Sequence, residues 1–210
     1  MFHVHSLVNS LSFSFTYLIA CLLVNICVVD GYFSSSTTRY IFYENPTEDC
    51  VSKNACVSAQ LADLSTALAI AVVLDRVLIL PRFHCLKKSK VGLIDCPLNS
   101  LLKIRAFDAE FSERYRESSF LRNPLVPYSV RHSVSPQHSI SDVSICRNKR
   151  NTLTIADNEL RQTLDGDRHR VVSLSCLRNT RVTFKSEVQQ NSFDKKIEKS
   201  FHHSDYRQLQ

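Results

Sequence analysis

The stretch TALAIAVVLDRVLILPRFHC, Thr66 to Cys85, constrains the fold more than any other part of the chain. From Val57 to Leu74 the spacing of Leu61, Leu64, Leu68, Ala71 and Val72 predicts a helix. Ala67, Ala69 and Ala71 keep that helix slim enough to lie close against a sheet. Arg76 to Pro81, RVLILP, is then apolar without alternation, the pattern of a strand covered on both faces in a parallel sheet. Pro81 closes it, because proline cannot donate to a central ladder. Upstream, RYIFYEN, Arg39 to Asn45, is aromatic and β-branched, stops at Pro46, and reads as another strand. Strand, helix and strand in this order make a βαβ unit, for which the crossover is expected to be right-handed.

Beyond this unit the pattern is weaker. CPLNSLLKI predicts a short helix with Pro97 in its first turn. Ala106 to Pro127 reads as a helix followed by a proline-limited extended segment, and residues 128–150 read as a loop. Thr154 and Asp157 resemble a capping box ahead of NELRQTL. Arg170 to Leu177, RVVSLSCL, predicts a further buried strand, and the polar tail from Lys185 predicts a helix up to Phe201.

Leu11 to Val29 is an apolar run of nearly membrane-spanning length, broken by Ser and Asn, and the first Lys or Arg is Arg39. Residues 1–31 read as a signal peptide or an uncleaved signal anchor, with a buried core helix as the remaining alternative. Either targeting reading makes residues 32–210 a lumenal domain. Of the eight cysteines, Cys21 and Cys27 fall in the apolar run, and an even set of six follows it. In an exported domain such a set predicts disulfides, and Cys50–Cys56 and Cys85–Cys96 are the local pairings among fifteen connectivities. There is no CxxC pair or HExxH spacing to support a metal site.

The formal charge of +6 suits an anionic partner. Nucleic acid is not expected, because the Lys and Arg are scattered and no aromatic platform stands out. Three glycines are few for a phosphate-cradling loop, and no GxSxG, Walker or GxGxxG motif occurs. Asp165-Gly166-Asp167 has the DxD form of many metal-dependent sugar transferases. It precedes a strand instead of following one, so it reads as a turn. Arg82, Phe83 and His84 do follow a predicted central strand, on the edge where open α/β sheets bind ligands. There Arg82 suits a phosphate or carboxylate, and His84 suits proton transfer. Arg116 and Glu117 read as a loop-holding ion pair or as a solvated face.

The segments RYIFYEN, AQLADLSTALAIAVVLDRVLILPRFHC and CPLNSLL together resemble the amino-terminal half of the protein O-fucosyltransferase type of secretory-pathway glycosyltransferases. The matching positions are Gln60, Ala67 to Ala71, Arg76, Leu80-Pro81, Phe83, Cys85 and Cys96-Pro97-Leu98. The likeness runs from Arg39 to Gln208 and is strongest from Gln60 to Leu98. It implies an α/β fold with a Rossmann-like parallel sheet flanked by helices. It also implies that this chain corresponds to the first of two such halves, a single truncated domain. The implied reaction is transfer of a sugar, fucose by the closest likeness, from a nucleotide sugar to a hydroxyl of a glycan or protein acceptor. Gln60, Arg82 and His84 are the implied substrate contacts, with no catalytic residue assigned and no cofactor beyond the nucleotide-sugar donor. The implied location is the endoplasmic reticulum or Golgi lumen, held to the membrane by the amino-terminal segment, or secretion if that segment is cleaved. The chain departs from the family in its loop PTEDCVSKNACVSA, which has no glycine and places Ala59 where relatives have Asn. These departures suit the rival expectation, a non-catalytic binding or partner protein of the secretory pathway.

Overall fold

A computed structural model of the chain describes residues 37–45, 53–86, 92–133, 138–139, 153–166, 168–175, 177 and 179–202. The expectations for residues 1–31, and for Cys50, fall outside the described residues.

The predicted βαβ unit is present. Strand β1 (Tyr40–Tyr43) leads to helix α1 (Lys53–Val73) and then to β2 (Val77–Ile79), which runs parallel to β1 with Ile41 opposite Leu78. The predicted carboxyl-side strand is β8 (Val171–Ser175), and it pairs with the other edge of β1, Ile41 opposite Val172. Two short strands complete an all-parallel sheet of order β5-β2-β1-β8-β6: β5 (Tyr115–Arg116) beside β2, and β6 (His138–Ser139) beside β8. The protein is therefore α/β, with β1 at the centre of a parallel sheet flanked by helices.

Alternation along the strands separates two cores. Ile41, Tyr43, Leu78, Leu80, Val172 and Leu174 face α1, while Tyr40, Ile79 and Val171 face the opposite side. The second side is covered by Phe120, Val126 and Val130. Phe120 stands in a 3₁₀ turn (Phe120–Arg122), and Val130 in the one-turn helix α3 (Tyr128–Arg131). Within the stretch 128–150, read from sequence as a loop, the described residues hold two short elements, this turn of helix and the strand His138–Ser139. Val130 is fully buried, and His138–Ser139 closes one edge of the sheet. Those elements are too short to leave a periodic signal.

Helix α1 is buried on nearly every side, because the main sheet is not its only cover. Strands β7 (Leu153–Ala156) and β9 (Thr180–Thr183) form a separate parallel pair. Thr66 Oγ1 donates to the Thr180 carbonyl at 2.7 Å, which ties α1 to that pair. The alanines thus serve close approach from two sides. The stretch Cys56–Val73 is long and apolar enough to cross a membrane, yet 72% of it is buried in the fold, as befits a core helix.

Helix α2 (Ile104–Phe111) packs on α5 (Glu187–Ser200), the predicted tail helix. CPLNSLLKI forms a 3₁₀ turn (Leu98–Ser100) entered from Pro97. The capping box does not form. Thr154 lies within β7, and Asp157 opens α4 (Asp157–Leu164) with its carboxylate accepting from the Lys185 N–H at 3.1 Å. Asp165 and Gly166 form the expected turn after α4, and Asp165 lies 3.7 Å from Arg39.

The step from α1 to β2 turns at Asp75, whose φ of 49° is left-handed. Asp75 accepts a hydrogen bond from Arg114 at 2.6 Å. That bond, and the Arg114 charge, hold its carboxyl below the usual range against a slight opposing effect of burial. Because the folded state prefers the carboxylate, the pair stabilises above the unfolded pKa of about 3.9 and is lost as pH falls through the folded value. Asp75→Asn keeps a residue that tolerates the turn. Asp75 is 81% exposed, so screening limits the expected loss to about 0.5 kcal/mol. Urea midpoints of the two proteins should differ at pH 7 and converge once the pH has fallen below the depressed folded-state value.

Candidate functional site

Strands β1 and β2 stay in register only to Phe42 and Ile79. Past their carboxyl ends the chains part, and Asn45 bridges the gap: its Nδ2 donates to the Arg82 carbonyl at 2.8 Å and to Gln60 Oε1 at 3.3 Å. Gln60, reaching up from α1, in turn grips the backbone of His84. Its Oε1 accepts from the His84 N–H at 2.7 Å, and its Nε2 donates to the His84 carbonyl at 2.8 Å. A buried side-chain amide thus replaces the ladder bonds that β2 loses when it leaves the sheet. Gln60 is 1% exposed and does not line the cleft, so its place is that of a support for the segment that carries Arg82 and His84.

The opening has two lobes, of about 430 and 360 Å³, within the usual range for small-molecule sites. Leu80, Pro81, Arg82, Ser118 and Arg122 line both. The guanidinium groups of Arg82 and Arg122 are exposed and have no hydrogen-bond or ion-pair partner among the described residues. His84 lines the smaller lobe, with Nδ1 3.7 Å from Asp95 Oδ1, and Asp95 lines the larger.

His84 and Asp95 face each other on a hairpin, β3 (His84–Leu86) and β4 (Leu93–Asp95). Cys85 and Cys96 are disulfide-linked across it, with Cα atoms 5.2 Å apart, as the even cysteine set predicts. Such a bond suits a secretory or membrane protein.

Comparisons with protein-family models, curated proteins and solved structures find no match for this chain.

The site therefore stands on its own geometry. Arg82 and His84 come together on the predicted sheet edge, while Gln60 lies behind them. Asn45, Glu117 and Arg122 were not expected here. Glu117 is exposed on the rim of the larger lobe, a solvated position. Arg122 sits in the 3₁₀ turn of an aperiodic stretch, which left no signal to find it.

Tyr43 lines the smaller lobe, yet its hydroxyl is buried without a hydrogen-bond partner among the described residues. Burial, reinforced by the Asp63 charge, pushes its pKa well up, so it stays neutral. A groove of about 450 Å³ also lies at the opposite end of α1, lined by parts of α2, α4 and α5. Several of its charges are already paired: Glu110 with Lys196 at 3.7 Å and with Lys199 outside the groove at 3.0 Å, and Arg114 with Asp75. It lies at the wrong end of the strands for the usual α/β ligand site.

Proposed function

We propose that this is a lumenal, Rossmann-like protein of glycosyltransferase type that holds the diphosphate of a nucleotide sugar between Arg82 and Arg122. The observation that carries this reading is the pair of guanidiniums, without a partner among the described residues, shared by both lobes at the carboxyl edge of a parallel sheet. Planar guanidinium forks match phosphate oxygens, and an open α/β sheet binds ligands at this edge where its strands part. The proposed reaction is transfer of the sugar, fucose or a similar one, to a hydroxyl of a glycan or protein acceptor in the endoplasmic reticulum or Golgi. The leaving diphosphate gains charge in such a reaction, and fixed cations stabilise it. Binding without turnover is the second reading. It is favoured by Gln60, the expected contact that commits its amide to the backbone.

Calorimetric titration with GDP- and UDP-sugars tests the site, and sugar release or transfer separates the two readings. Arg82→Ala removes a charge-assisted contact and is expected to weaken diphosphate binding about tenfold or more. Its side chain is exposed, so the substitution is expected to leave the fold intact, which circular dichroism checks. No binding by the wild-type chain, or binding indifferent to Arg82, would overturn the reading.

A further inference from the structure

We infer that the two lobes sort the ends of the ligand: the smaller takes the nucleoside, and the larger takes the sugar and rejects additional phosphate. This rests on the diphosphate reading above. Arg82 and Arg122 line both lobes, so a diphosphate held there has one lobe on either side.

The lobes differ in chemistry. In the smaller one, Phe42 and Leu121 are half-buried, packed on the second core yet still lining the opening. They offer apolar surface to a flat base, and Glu44 at the same lobe offers an acceptor to a base N–H or ribose hydroxyl. In the larger lobe, Phe83 is only 4% exposed and belongs to the main core, so it presents little ring face. That lobe instead has two carboxylates, those of Asp95 and Glu117. Asp95 is 71% exposed, and Glu117 is exposed without a side-chain partner among the described residues.

Ionised carboxylates accept hydrogen bonds and donate none, so they suit the hydroxyls of a neutral sugar. A third phosphate in the same place meets like charge and is disfavoured. This reverses the order that general attraction to a basic protein predicts, in which a triphosphate binds more tightly than a diphosphate.

The test is calorimetry on the full chain with pyrophosphate, UDP and GDP, UTP and GTP, and UDP- and GDP-sugars. The expected result is tighter binding of a nucleotide sugar than of its diphosphate, and weaker binding of the triphosphate. Phe42→Ala is expected to weaken the diphosphates about tenfold and leave pyrophosphate unchanged, as loss of one stacking contact would. The pair Asp95→Asn and Glu117→Gln is expected to strengthen triphosphate binding and weaken nucleotide-sugar binding. Both positions lie on the surface, so this arm decides the matter even if Phe42→Ala fails to fold. Wild-type preference for triphosphates, or ratios unmoved by the carboxamide pair while Arg82→Ala still weakens binding, would overturn the lobe assignment and leave the diphosphate site standing. Failure of every diphosphate to bind would remove both.

Discussion

Gln60→Leu is expected to destabilise the fold by at least about 2 kcal/mol and at most about 6, because it orphans two part-buried backbone groups of His84 and an unsatisfied buried group costs about 1–3 kcal/mol. Leucine is close in size, so little of the loss comes from a cavity. In urea the midpoint should fall by about 1–2 M at an ordinary slope for a domain of this size. Gln60→Glu separates the two bonds. It keeps an acceptor for the His84 N–H but sets a carboxylate against the His84 carbonyl, so it should be no better tolerated than leucine. Ligand affinity should fall alongside stability, since Arg82 is also held through Asn45, which bonds to Gln60. A midpoint unchanged by Gln60→Leu would show that the amide does not support the cleft.

Replacing both Cys85 and Cys96 with serine is expected to cost about 3 kcal/mol, from the loop-closure entropy of a link spanning 11 residues. The hairpin keeps its three paired positions without the bond, so the native structure should persist and the loss should arise mainly in the unfolded chain. Reduction of the wild-type protein should reproduce the shift, while the double variant should be insensitive to reductant. Because the hairpin carries His84 and Asp95 to the cleft, nucleotide-sugar affinity should drop more than pyrophosphate affinity. Equal urea midpoints for the oxidised wild type and the double variant would contradict the entropic account.

The parts of the fold that could be read in advance are those whose cause is local. Leucine spacing and alanines specify α1, an unbroken apolar run ended by Pro81 specifies β2, and Val171, Val172 and Leu174, interrupted by serine, specify β8. The helix Glu187–Ser200 follows from a polar tail with buried Phe193 and Ile197 four residues apart. Local pattern also placed Arg82 and His84 on the carboxyl edge, since that position follows from strand direction alone.

What only the tertiary structure decided depends on partners distant in sequence. No periodicity shows that β9, paired with β7, packs against α1, or that β8 inserts beside β1 and not beyond β2. The apparent capping box of Thr154 and Asp157 failed for the same reason: strand pairing with β9 claimed Thr154, and the Lys185 N–H took the carboxylate. At the site, residue type marked Gln60 but could not assign its work. A glutamine beside a cleft can face a ligand or hold a backbone, and the choice was made by His84, 24 residues on, where the β2 segment leaves the sheet and its amide and carbonyl need new partners. Arg122 entered the cleft because Phe120 and Val126 bury against the outer face of the sheet and carry the turn with them. Hydrophobic spacing reports which face of an element is buried. It carries no record of which distant segment buries it, and the cleft of this protein is built from such meetings.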